Sequence, residues 1–247
     1  RYDALTNVFT KKARNRYQIK HFRPPAENFM RYSSWLKKQS LRMGYKDKPI
    51  DFREFLFQAL PSCHNFRPTM AAQFYSYFNA QSVIDFSAGW GDRLLAACAM
   101  DIKYVGIDPN QNLHPGYKEI INVLGMKTKQ HVIDSGAEYL PTSVLEKVKS
   151  KLNIEQFDLL FTSPPFFDYE LYDKRTQSIN AHTVDSWIVY FLLLCVKVYS
   201  KHIKINGHVV LFIQDVKDFD FITPLVLLIS LYSNDIHLEY KGIITSN

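Results

Sequence analysis

The chain has 247 residues, enough for one sizeable core with a small accessory region. Hydrophobic residues at 47% against 22% charged exclude a disordered chain, and the longest apolar run, around 188–198, is too short and too interrupted to span a bilayer. Net charge is +6, yet residues 1–50 hold 13 Lys and Arg against 3 Asp and Glu, so a basic N-terminal fifth precedes a mildly acidic body.

That asymmetry points to an anionic partner at one end, nucleic acid foremost, or to a solvated arm. Cys63, Cys98 and Cys195 are far apart, and no CxxC or CxxH spacing indicates a metal site. So sparse a cysteine set fits a reducing compartment, and no signal sequence opens the chain, so an intracellular location is expected: cytoplasmic, or nuclear in a eukaryote. The first residue is Arg1 rather than Met, which reads as a trimmed start or a fragment.

In chain order, 1–62 reads as a basic, largely helical region, with helical apolar spacing over 31–43 after the Pro24-Pro25 break. Lys11, Lys12, Arg14 and Arg16 cluster there, interleaved with Tyr17, and suit either phosphate contact or a solvated face. From about 63 to 247 strands and helices alternate. Helices are predicted over 69–78, 94–100, 115–124, 143–152, 187–202 and 221–232. Short buried strands are predicted over 82–86, 104–108, 130–134, 157–162 and 208–214, with a closing strand over 238–244. Apolar runs of four to six residues between helices are what a parallel sheet covered on both faces produces, so the fold class is a doubly wound α/β sheet.

Three stretches carry chemistry. In 83–97, VIDFSAGWGDRLLAA, a strand bearing Asp85 runs through Phe86 and Ser87 into a turn with Gly89 and Gly91. Such a turn lets backbone approach a dinucleotide, a flavin or S-adenosylmethionine, and it also serves as a plain β–α turn. In YVGIDPN, Asp108 ends the next strand, where a carboxylate can accept hydrogen bonds from ribose hydroxyls or cap a helix. After the third strand, Asp134 or Ser135 is placed to read an adenine, and a helix cap explains Asp134 as well.

The third stretch, FDLLFTSPPFFDYELY, delivers Ser163, Pro164, Pro165 and Phe166 at the carboxyl end of a buried strand, where doubly wound sheets hold their ligands. Two prolines stiffen the backbone and remove N–H donors, so Ser163 and neighbouring carbonyls can accept hydrogen bonds from one –NH2 group. Phe166 offers a face on which a base can stack. The alternative is a rigid loop that only shapes the exit of the strand. The lone pair of an exocyclic amine is delocalised into its base. Two acceptors localise it and align it for in-line attack on a methyl carbon, with proximity supplying much of the acceleration. A carbon-5 cytosine methyltransferase would want a Pro-Cys pair, and the chain has none.

SPPF after a buried strand, with FSAGWG and GIDP upstream, resembles the S-adenosylmethionine-dependent amino-methyltransferases of nucleic acid, which make N6-methyladenine or N4-methylcytosine. The resemblance covers about 64–245. It implies a Rossmann-like, mostly parallel seven-stranded sheet. It further implies base binding by Ser163, Pro164, Pro165 and Phe166, and cofactor binding by Asp85, Phe86, Ser87, Gly89, Gly91 and Asp108. It also puts Phe66, Arg67, Pro68 and Thr69 at the methionine end of the cofactor. Trp90 between the glycines departs from the pattern and is expected to pack rather than to shape the pocket. Gly136 stands where the family carries an acid, which leaves Asp134 as the candidate for adenine. Ser163 in place of Asp or Asn leans towards N4-cytosine.

DNA is favoured over RNA as substrate, with RNA base methylation and a catalytically silent nucleic-acid-binding subunit as the alternatives. Few residues follow the sheet, so target readout is expected from the basic arm, from the loop at 168–183 with Lys174 and Arg175, from a missing C-terminal region or from a partner subunit.

Overall fold

The computed structural model describes residues 5–14, 18–19, 25–48, 55, 66–167, 169–172, 183–215 and 220–244. Strands β2 (Ser82–Asp85), β3 (Lys103–Asp108), β4 (Gln130–Asp134), β5 (Phe157–Thr162) and β7 (Ile203–Leu211) form one parallel sheet in the order β4-β3-β2-β5-β7. The chain starts at the centre, runs outward to β4, then crosses back to β5 and β7. The order therefore reverses beside β2, and the crevice this opens at the carboxyl ends of β2 and β5 is where such sheets bind ligands.

Residues on these strands alternate between two apolar layers. Val83, Tyr104 and Leu159 face one layer with helices α3 (Pro68–Tyr77), α4 (Asp92–Ala99) and α5 (His114–Leu124). Ile84, Val105 and Leu160 face the other, with α6 (Thr142–Lys151), α7 (184–200) and α8 (Ile222–Leu231). Burial on both faces is why the strands read as unbroken apolar runs. Within α7 the stretch Ile188–Leu193 is π-helical, a widened turn that apolar periodicity does not reveal.

The main sheet has five strands among the described residues, not the seven implied by the resemblance. Residues 238–244, expected as a closing strand, join no sheet among the described residues. After the short helix α9 (Ser233–Ile236), His237 turns left-handed, Gly242 breaks the extended run at φ +124°, and Glu239 and Lys241 spend their charges on each other. The predicted helices of 66–247 form, 221–232 included, and so does that of 31–43, as part of α2 (Pro25–Arg42).

The N-terminal residues lie against the sheet domain. Helix α1 (Thr6–Arg14) packs on α5 so closely that a Cβ on Gly116 would stand 2.8 Å from the Phe9 carbonyl oxygen. The two-residue strand β1 (Gln18–Ile19) pairs antiparallel with β6 (Glu170–Leu171), just beyond the SPPF turn. No helix among the described residues is long and apolar enough to cross a membrane.

Candidate active site

The glycine turn is built around buried charge. Asp85, the last residue of β2, is fully buried and meets Arg93 Nε at 2.7 Å and Nη2 at 3.3 Å. It also accepts from Tyr104 Oη at 2.6 Å and from the Ser87 amide at 3.1 Å. Burial opposes the charge on Arg93, but Asp85 outweighs it and holds the guanidinium protonated more firmly than in water. Burial, reinforced by Asp85, keeps the Tyr104 phenol protonated and so a donor. A carboxylate at the end of a buried strand needs a counter-charge within reach, and the first turn of α4 supplies it. Asp85 is thus a structural hub and does not line the cavity, contrary to the cofactor-binding role expected of it.

The turn that follows reaches the ligand side. Gly91 sits at φ +88° as the N-cap of α4, where a Cβ would lie 3.1 Å from Ile120. It fixes helix packing and is not among the residues that line the cavity, unlike Gly89. Gly89 lines the cavity, and its N–H donates to Asp108 Oδ2 at 2.9 Å while the Asn110 N–H donates to Oδ1 at 2.9 Å. Burial raises the Asp108 carboxyl to about 6 despite those two donors. The Tyr117 hydroxyl also hydrogen-bonds this carboxylate, so of about four acceptor positions one remains for a further donor such as a ribose hydroxyl. Tyr117 Oη donates to the Gly89 carbonyl and steadies the turn.

From β5 the diproline turn completes the same cavity. Ser163, Pro164, Pro165 and Phe166 all line it, facing Phe86, Ser87, Gly89 and Asp108 from the neighbouring strand ends. Phe167 takes φ +46°, which sends its ring into the core against Trp187 at 5.9 Å while Phe166 stays in the wall. The π turn of α7 brings Phe191 to the same wall.

Other expectations are corrected. Of the Phe66–Thr69 segment only Phe66 lines the cavity, held under the Arg93 guanidinium at 5.2 Å. Arg67 and Thr69 are exposed and Pro68 starts α3, because the helix begins two residues after Phe66 and turns the rest away. Asp134 is half-exposed, 3.7 Å from His114, and outside the wall. The chain turns inward only later, so Ala137 and Glu138 line the cavity in its place. Trp90 both packs and lines: its ring lies under Arg14 at 5.2 Å and edge-on to Tyr172 at 5.6 Å.

Arg14 is buried in that contact and is not available for phosphate, whereas Lys11 and Lys12 are exposed. Arg16, Lys174 and Arg175 lie outside the described residues. Asp215 accepts from the Phe221 and Ile222 amides at the start of α8.

Sequence reasoning missed several wall residues. Asp92, which accepts from Thr6 Oγ1 of α1, has no signal short of that tertiary contact. Arg93 could have been found from the rule that a buried Asp85 requires a cation. Glu170, in the strand paired with β1 and hydrogen-bonded to Tyr172 of the same wall, carries no such signal either.

No protein family and no curated protein matches the chain. Among solved structures it is similar to an S-adenosylmethionine-dependent methyltransferase from Agrobacterium tumefaciens. Identity is 14% and the TM-score 0.42, over 63% of this chain and 49% of that one. A methyltransferase from Thiobacillus denitrificans solved with S-adenosyl-L-homocysteine aligns at 17% identity and TM-score 0.39, over 60% and 50%. An O-methyltransferase family protein from Burkholderia thailandensis aligns at 12% and 0.43, over 86% and 59%. The chain spans about half the length of the first two.

Proposed function

We propose that this chain transfers the methyl group of S-adenosylmethionine to the exocyclic amino group of a nucleic-acid base, with DNA the favoured substrate. One observation carries the reading. Gly89 with Asp108, and the Ser163–Phe166 turn, leave three adjacent strand ends and line a single cavity. A nucleotide-like cofactor and an amine-bearing base would meet there.

The residues fit the parts assigned to them. Asp108 keeps acceptor capacity for a ribose hydroxyl and is held in place by the Gly89 and Asn110 amides. Phe86 and Ala137 offer apolar walls to a purine, with Glu138 beside them to accept from its amino group. When bound, S-adenosylmethionine supplies an electrophilic sulfonium methyl. Ser163 and the carbonyls of the diproline turn accept the N–H bonds of the target amine, which localises its lone pair. Phe166 stacks on the base, which must leave its helix to arrive. Most of the rate then comes from alignment in a site that keeps water out. No covalent enzyme intermediate is required, and the buried thiols of Cys98 and Cys195 are held protonated by that burial.

The test is transfer of a labelled methyl group to DNA and to RNA, followed by digestion and identification of the labelled nucleoside. N6-methyladenine or N4-methylcytosine in DNA is expected. Label in RNA alone would move the substrate, and label on a ring carbon would overturn the chemistry. Ser163→Ala with Phe166→Ala should reduce transfer at least about 100-fold while cofactor affinity stays within about threefold, since only the base side is removed.

A further inference from the structure

We propose that helix α2 is a docking strip for single-stranded nucleic acid, with its cations on the backbone phosphates and Trp35 stacked on a base. This concerns binding alone and stands whether or not the cavity transfers a methyl group.

Along α2, Leu36 and Ser40 are buried, which fixes the inner face. At 100° per residue the opposite face is occupied by Arg31, Trp35, Lys38 and Arg42, all exposed and all within a stripe about 60° wide. The stripe is about 16 Å long at 1.5 Å per residue, with its members about 4.5–6 Å apart. Arg31 and Lys38 stand about 10.5 Å apart along the axis and Lys38 and Arg42 about 6 Å, with Trp35 between the first two, so a strand laid along the stripe meets positive charge on both sides of the stacked base.

Among the described residues no carboxylate pairs with Arg31, Lys38 or Arg42. Nearby, Asp47 is engaged by Lys37 at 3.0 Å, off the stripe. Trp35 is 58% exposed, whereas Trp90 and Trp187 are buried. A bulky indole left in water between cations costs stability and suits a partner with flat apolar faces and a regular negative charge. Tyr32 beside it stands half-exposed, with the Arg31 guanidinium over its ring at 5.7 Å. The phosphate contacts expected of α1 have less to work with, since its Arg14 is buried against Trp90.

The experiment measures full-length protein, without cofactor, against a short labelled single-stranded oligodeoxynucleotide by fluorescence anisotropy over a range of salt. The variant Arg31→Gln/Lys38→Gln/Arg42→Gln should bind at least about tenfold more weakly, and its log–log salt slope should be shallower by about 2. Trp35→Ala should lose about tenfold, with Trp35→Phe restoring most of it. In the wild-type protein the oligonucleotide should quench the fluorescence of the one exposed tryptophan, a readout that needs no variant.

The control Lys118→Gln/Lys127→Gln/Lys147→Gln removes the same charge from exposed positions elsewhere and should leave affinity near wild type. Equal losses in both triple variants would reduce the effect to net charge and overturn the strip. So would retained affinity in the α2 variants, or binding of anionic phospholipid vesicles through these residues with no binding of the oligonucleotide.

Discussion

Asp108 shows how one side chain couples folding to ligand. Its carboxyl is raised from the usual 3.8 to about 6 because burial outweighs the two amides that favour the anion. A raised folded value means that the group's contribution to stability is complete below about pH 4 and is lost as pH rises through 6. The loss is about 3 kcal/mol in order of magnitude. A ribose needs the anion, so cofactor affinity should run the other way. Calorimetric titration between pH 5 and 8 should give an affinity that is flat above pH 7 and falls about tenfold per unit below 6. Asp108→Ala should bind weakly at every pH. Arg93 makes the complementary case. Arg93→Leu leaves Asp85 buried with Tyr104 but without its cation, so thermal melts should show a loss of about 3–5 kcal/mol, with the turn itself disordered.

At the scale of elements, the helices and strands of the sheet were legible because apolar runs and glycine turns are local signals. The placing of the glycine turn, Asp108 and the SPPF turn at carboxyl ends of strands was legible too, whereas the strand order that sets those ends side by side was not. What was not legible came from contacts distant in sequence. Residue type marked Asp85 and Asp134 as ligand groups, but burial made one a hub and a late turn put the other outside. The basic cluster of α1 read as an arm, whereas its Arg14 is taken up by Trp90 and Thr6 by Asp92. Nothing in the local pattern foretold the two-residue ladder of β1 with β6. The contact at Gly116 tests the role of α1. Gly116→Val would collide with the Phe9 backbone and prise α1 from α5. Cofactor dissociation, followed by stopped-flow fluorescence, should then accelerate at least about tenfold while the sheet's circular dichroism is retained.

Across the whole molecule, order should fall from the centre of the sheet towards β7. Strands β2, β3 and β5 are buried on both faces, whereas β7 is half-exposed and shifts register after Phe157, with Asn206 left-handed. Amide hydrogen exchange should therefore be slowest in β2, β3 and β5. It should be markedly faster at the start of β7 and through 238–244, where no ladder protects the backbone.

The indole of Trp90 is gripped from both sides, by Arg14 near the start of the chain and by Tyr172 beyond the diproline turn. Those two grips are joined by the short β1–β6 pairing. Two segments far apart in sequence therefore meet on one aromatic ring, and this part of the cavity wall is complete only when both are in place.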